Sequence, residues 1–253
     1  RKNEWSCIKY NCEHSIFKSI GYTLRNVYAR WTKAYLKNVD MFACITEFQK
    51  KKLIEAGYDK NKITVIPNSI DAPCSYTPTS GEYIAYIGRL SYEKGYDLLV
   101  EVARKHPEIK FRFAGAQREQ KNTDIPSNVE FAGYLQKDKL LEFIQKARFI
   151  VIPSRCYEGF PMAILEAACH GKPAIAPNHG GFTEIIGQGE NAIGKLFEPS
   201  NTDDLDKQIA ELWNNQTLTE ELGEKAFKKL KKHYDSEVVY KQWETLFSKL
   251  KNS

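Results

Sequence analysis

Three short stretches of the chain combine charge, glycine and position in a way that suits chemistry. The first is Gly88-Arg89-Leu90-Ser91-Tyr92-Glu93-Lys94-Gly95, set between an apolar run and an amphipathic one. Its two glycines bracket an arginine and a lysine separated by four residues. Arginine grips phosphate oxygens with a planar fork and lysine adds a point charge, so beside the amides of a helix start the pair suits a diphosphate. A charge-assisted hydrogen bond contributes roughly 1.5–3 kcal/mol, and two would supply much of a phosphate's affinity. Two solvated loop cations are the plainer alternative. The second stretch is Ser154-Arg155-Cys156-Tyr157-Glu158-Gly159-Phe160-Pro161, followed by Met162-Ala163-Ile164-Leu165-Glu166-Ala167-Ala168-Cys169. Pro161 fits a first helical turn, where its missing N–H costs nothing. Glu158 then falls in the turn before the helix, and Glu166 is the one charge inside it. A half-buried carboxylate needs hydrogen-bond donors, and sugar hydroxyls supply them; an exposed acid plus a capping acid is the alternative. The third stretch is Asn178-His179-Gly180-Gly181-Phe182-Thr183-Glu184. Paired glycines let backbone amides approach an anion, and Glu184 reads as an ordinary acid at a helix start.

Such loops need a frame to hold them. The chain has 253 residues, 42% hydrophobic, 27% charged and 12% aromatic, which excludes disordered, collagen-like and low-complexity classes and leaves room for one large domain or two. Strands are expected at 39–45, 63–66, 83–87, 110–114, 129–132, 149–152 and 174–176. Helices are expected at 47–57, 96–105, 137–147, 162–170, 203–214, 218–233 and 236–251. Short apolar strands alternating with helices of about ten residues imply an α/β fold, a Rossmann-like parallel sheet covered on both faces. Residues 1–70 hold too few strands to close a sheet and read as the incomplete end of an N-terminal α/β unit. Residues 71–81 are rich in turn formers and read as a linker. The second unit runs over 82–235. A C-terminal helix, 236–253, is expected to bury Val239, Trp243, Leu246 and Leu250 and to pack back on the N-terminal part. Either the chain is cut from something longer or the missing strands come from elsewhere.

The net charge of +5 is unevenly placed. Residues 1–38 carry Arg1, Lys2, Lys9, Lys18, Arg25, Arg30, Lys33 and Lys37 against Glu4 and Glu13, which leaves the remainder slightly negative. Ile16, Ile20, Leu24, Val27, Trp31 and Tyr35 recur there at helical spacing. The preferred reading is a packing helix with a solvated basic face. The sharper one is a basic amphipathic helix on an anionic membrane or a charged acceptor. No reading motif for nucleic acid accompanies the charge. The six scattered cysteines suit reduced thiols in a cytoplasm, and neither a spanning run nor a signal-peptide core is present, so a cytoplasmic protein is expected. Asp204 and Asp206 form an Asp-x-Asp, but among other charges at a helix start this reads as chance. Cys7, Cys12 and His14 have loose zinc spacing with too few ligands. A dehydrogenase or an NTPase lacks its glycine signature here.

Together the three loops resemble the donor-binding domain of the retaining glycosyltransferases of the GT-B fold, the glycosyl transferases group 1. Pro67-Asn68-Ser69-Ile70-Asp71 is similar to that family's interdomain junction, with Ser69 where glycine is usual. The resemblance implies that Arg89 and Lys94 hold the donor diphosphate beside Gly88 and that Glu166 binds ribose hydroxyls. It places Glu158 on the transferred sugar, with backbone amides around Gly159, Phe160, Pro161 and Met162 and around Gly180, Gly181 and Phe182 assisting. Tyr134 and Leu135, after Gly133, stand where the base is read. No metal or other cofactor is implied, the two cations serving instead. The implied partners are a nucleotide-sugar donor and a saccharide or glycolipid acceptor in polysaccharide biosynthesis, with a peripheral inner-membrane position through the basic helix. Gly115-Ala116-Gln117 departs from the family's glycine-any-glycine pattern. With the acceptor-side domain mostly missing, the chain is expected to bind donor better than it transfers sugar. Rival readings are a nucleotide-sugar epimerase or a phosphorylase of the same fold, and a non-catalytic binding or docking module.

Overall fold

The computed structural model describes residues 5–9, 15–116 and 124–251; Cys12, His14 and Gln117, weighed above, lie outside them. The chain forms two compact units, one running through Ala43 with Lys50–Thr64, the other comprising Cys44–Gln49 and the chain from Val65 onward. The first holds α1 (Ser6–Lys9), α2 (Ile16–Trp31) and α3 (Ala34–Asn38). After these come β1 (Phe42–Cys44), α4 (Glu47–Glu55) and β2 (Ile63–Val65), with β1 and β2 paired in a two-stranded sheet.

The packing role expected for the N-terminal stripe is not what α2 displays. Ile16, Phe17, Ile20, Leu24, Tyr28 and Trp31 are exposed, Phe17 and Trp31 by 83% and 82%, whereas the buried positions are Ser19 and Thr23. Thr23 Oγ1 donates to the Ser19 carbonyl at 2.8 Å, so the small hydroxylated face turns inward with its polar groups satisfied. The helix also ends earlier than the stripe. Lys33 adopts a left-handed φ of 52°, and Tyr35 falls in α3 beyond the break.

The second unit is built on a six-stranded parallel sheet. Its strands are β3 (Tyr83–Ile87), β4 (Phe111–Ala114), β5 (Val129–Gly133), β6 (Ala147–Val151), β7 (Ala174–Pro177) and β8 (Gly194–Phe197), in the order β5-β4-β3-β6-β7-β8. The helices are α5 (Tyr96–Lys105), α6 (Asp138–Gln145), α7 (Met162–Ala168), α8 (Gly181–Ile186), α9 (Thr202–Asn214), α10 (Gln216–His233) and α11 (Ser236–Lys251). Because both faces are covered, β3 is a continuous apolar run whose successive side chains enter two different cores. Tyr83 and Ala85 join Ile150, Ile164 and Leu165 on one face, while Ile84 and Tyr86 join Leu99, Phe111, Phe149 and Leu205 on the other. β8 was not anticipated: it starts on glycine and contains a lysine, too short and too mixed a signal. Asn201 caps α9 through its side chain, accepting from the amides of Asp203 and Asp204.

Two segments differ from their sequence reading. In α11 only Val239 of the four expected core residues is buried; Trp243, Leu246 and Leu250 are partly exposed. Ile70, in the same compact unit, bonds at the start of that helix, its amide donating to Tyr234 O and its carbonyl accepting from Ser236 N. Residues 71–81 lack regular structure but are laced to the second unit. The Tyr76 ring packs on Phe227 with centroids 4.9 Å apart, and Thr79 Oγ1 donates to Gln145 O at 2.8 Å. Lys172, buried, donates to Thr79 O at 2.9 Å and to Thr79 Oγ1 at 2.6 Å.

Burial pushes the Lys172 ammonium down from 10.5 to about 8. Between those values the folded chain holds fewer protons at this site than the unfolded chain, so Lys172 makes stability rise with pH across that window. Urea denaturation should therefore give a stability difference, original chain minus Lys172→Met, that grows from about pH 8 to about pH 10; a flat difference would contradict the assignment.

Candidate functional site

The sheet order reverses between β3 and β6, so the chain leaves these neighbouring strands toward opposite sides. The loops at their carboxyl ends diverge there, and such a switch point is where open parallel sheets hold ligands. The first charged loop follows β3 and the second follows β6.

The two loops are pressed together at their backbones. Gly95 has a left-handed φ of 69°, and a Cβ on it would stand 1.9 Å from Pro153 O, so no other residue fits there without movement. The Arg155 amide donates to Glu93 O at 3.0 Å. Tyr86 OH, from β3, donates to Arg89 O at 2.7 Å and steadies the other end of the first loop. In consequence Lys94 and Glu158, 64 positions apart, meet as an ion pair at 2.6 Å, both mostly buried. Arg89 stands 3.7 Å from Glu93 and is more exposed.

A cavity of about 590 Å³ is lined by Gly88, Arg89, Gly115, Ala116, Tyr134, Leu135, Ala163 and Glu166, among others, but not by Lys94 or Glu158. The loops after β3, β4 and β5 and helix α7 form its wall, which includes Tyr134 and Leu135, while the loops 154–161 and 178–184 do not line it. Gly115 is required for a different reason from ligand approach: a Cβ there would stand 1.7 Å from Gly88 O. Half-buried Glu166 has no hydrogen-bond donor among the described residues, and loss of solvent raises its carboxyl pKa above the ordinary value.

Other expected ligand contacts have structural duties. Phe182 is fully buried, and Phe160 is buried with its ring 5.5 Å from that of Tyr234, so only their backbones can face a ligand. Pro161 is buried at the N-cap of α7. Met162 lines a separate apolar groove of about 860 Å³ with Ile45, Ile66, Pro67 and Trp243. The glycine pair serves loop packing. The Gly181 amide donates to Glu158 O at 3.0 Å, and a Cβ on Gly181 would lie 2.3 Å from Gly159 O. Gly180 takes a φ of 60° beside Tyr157. That use of the Gly181 amide corrects its reading as an anion contact. Glu184 is also corrected: its carboxylate accepts from the amides of Glu47 and Phe48 at 3.1 and 3.2 Å, capping α4. His179 Nε2 donates to Ser154 O over 3.2 Å and the ring packs edge-on against Tyr157; burial lowers its pKa. The Asp-x-Asp is occupied by protein, Asp206 bonding His106 at 2.6 Å and Asp204 accepting from Glu198 N. No cluster of three or more metal-ligating side chains occurs among the described residues. Likewise no described helix is long and apolar enough to cross a membrane.

This end of the sheet gathers two loop cations, a carboxylate paired with one of them and a half-buried carboxylate that lines a cavity with the other. Residues 75–229 match the family model described as glycosyl transferases group 1, and residues 12–72 match that of glycosyltransferase family 4. An uncharacterized glycosyltransferase of Methanocaldococcus jannaschii is 33% identical over 193 residues, covering 74% of this chain and 53% of the relative. An exopolysaccharide phosphotransferase of Streptomyces coelicolor is 30% identical over 228 residues, 84% of this chain and 24% of that protein. The chain thus spans about half, or less, of the length of these curated relatives. Among solved structures, Anabaena HepE in complex with UDP and glucose superposes with a TM-score of 0.74 at 19% identity, over 83% of this chain and 63% of that one.

The glycine contacts are testable by stability alone. Gly95→Ala and Gly181→Ala should each lower unfolding free energy by about 2–4 kcal/mol, since backbone atoms must move. Gly21→Ala, in the interior of α2 with open space around it, should raise stability by about 0.5–1 kcal/mol. Equal effects at the three positions in urea titrations would contradict the loop-packing account.

Proposed function

The chain belongs to the glycosyl transferases group 1 and has the GT-B fold, and on that footing we propose that it is the donor-binding part of a retaining hexosyltransferase. The enzyme moves a hexose from a nucleoside-diphosphate sugar to a saccharide or lipid-linked acceptor in surface polysaccharide or glycolipid synthesis. The observation that carries this reading is the shared cavity of Arg89 and Glu166 with the Lys94–Glu158 pair on the adjoining loops. The base rests against Tyr134 and Leu135, the ribose hydroxyls donate to Glu166, and the diphosphate lies between Arg89 and Lys94. Lys94 exchanges its bond to Glu158 for phosphate oxygens as donor binds, which turns Glu158 toward the hydroxyls of the sugar.

The chemistry follows from charge. As the bond to the anomeric carbon lengthens, negative charge grows on the diphosphate and positive charge on the sugar. Cations already fixed at the diphosphate stabilise that state more than the ground state. Losing one such partner typically costs about 10²–10³ in rate. With Arg89 and Lys94 in place the reaction needs no divalent metal, so excess EDTA leaves donor binding unchanged. Acceptor binding requires more than this chain supplies, so the chain alone binds donor without efficient transfer. The exposed apolar stripe of α2, flanked by Lys18, Arg25 and Arg30, supports a peripheral position on an anionic cytoplasmic leaflet.

Isothermal titration with UDP, GDP and ADP should give saturable heat with at least one of them. Lys94→Ala and Glu166→Ala should each weaken that binding at least a few-fold, and the Glu166 contribution should fade as acid titrates its raised carboxyl. No heat from any of the three, or unchanged affinities in the variants, would contradict the reading. For the membrane role, the chain should sediment with phosphatidylserine-containing liposomes and not with neutral ones; equal behaviour with both would remove it.

A further inference from the structure

Arg155 sits in the second loop but does not line the cavity, and no role in the proposed reaction has been given to it. Its contacts nevertheless fall on both sides of Lys94. Arg155 Nη1 and Nη2 donate to Asp97 Oδ1 and Oδ2 at 2.7 and 2.8 Å, a two-pronged match of guanidinium to carboxylate. Nη1 also donates to Tyr92 O at 2.7 Å, and the guanidinium carbon stands 4.0 Å over the Tyr92 ring. Its backbone amide donates to Glu93 O at 3.0 Å. One residue after β6 thus holds positions 92, 93 and 97 after β3. The side chain is 17% exposed, so these bonds are sheltered rather than fully solvated.

Lysine carries its charge on a flexible four-carbon stem, and the place of its ammonium is set only if its backbone is. We infer that Arg155 is a positioning residue of the donor site: through Tyr92, Glu93 and Asp97 it fixes the backbone from which Lys94 projects, and thereby tunes affinity for the donor's phosphates and not for its nucleoside. The ligand half of this inference rests on the donor-binding reading above. The ordering of the loop does not. A lysine at 155 keeps the charge but lacks the planar fork, so it cannot reproduce the paired bonds to both Asp97 oxygens while also reaching the Tyr92 carbonyl.

Two measurements on the full chain test it. Without any ligand, hydrogen exchange at the amides of Lys94 and Gly95, which bond to Ser91 O and Tyr92 O, should speed up about tenfold in Arg155→Ala, with β7 and α8 unchanged. Titration should show Arg155→Ala weakening whichever of UDP, GDP or ADP binds by about tenfold, with the matched nucleoside unaffected. In a Lys94→Ala background the same substitution should cost nothing further, and Arg155→Lys should recover less than half of the loss. Unchanged exchange in the loop, equal loss for nucleoside and diphosphate, or full additivity with Lys94→Ala would each overturn the inference. Should Arg155→Ala fail to fold, Arg155→Lys and Asp97→Asn carry the same comparison. Absence of binding by the unaltered chain overturns the donor reading and the ligand half with it, while the exchange rates still decide whether Arg155 orders the loop.

Discussion

The contact between the loop after β3 and the loop after β6 governs everything at the working face of this molecule. Parallel strands cannot by themselves bring their carboxyl-end loops into register, because each loop departs to its own helix. Here the backbones touch at Gly95 and Pro153 and at Glu93 and Arg155, and the segment after β7 adds the bond from the Gly181 amide to the Glu158 carbonyl. Each contact is local and modest. Their sum leaves Lys94 and Glu158 opposed at 2.6 Å and leaves Arg89 facing Glu166 across a cavity.

That arrangement also sets the electrostatics. An ion pair between solvated side chains is worth at most about 1 kcal/mol, but one drawn out of water costs more to break when a single partner is removed. Lys94 with Glu158, each about four-fifths buried, lies between these limits. Glu166 is the opposite case. It is half-buried with no donor among the described residues, and loss of solvent raises its pKa. The site thus carries one carboxylate that is paired and one that is not.

Much of this was legible in the sequence, and for identifiable reasons. β3 and α5 coincide with their expected positions because one is an unbroken apolar run stopped by Gly88 and the other has a helical period stopped just before Pro107; the helix after Pro161 starts where expected and ends two residues early. Glu158 and Glu166 could be singled out since one precedes a helix and the other interrupts its apolar face. What escaped depends on partners far away in the chain. Glu184 resembles any helix-start acid until the amides of Glu47 and Phe48 are seen upon it. Arg155 draws no notice in the sequence because its fork is matched by Asp97, 58 positions earlier. The face of α2 was assigned inward on hydrophobicity, whereas the small hydroxylated side lies inward and the aromatic side out.

The most direct test is a crystal structure of the chain with UDP, GDP or ADP bound. The account places the diphosphate between Arg89 and Lys94, the ribose hydroxyls on Glu166 and the base along Tyr134 and Leu135, with Glu158 no longer paired to Lys94. Electron density for the nucleotide elsewhere on the surface, or in the cavity with its phosphates turned away from both cations, would contradict it.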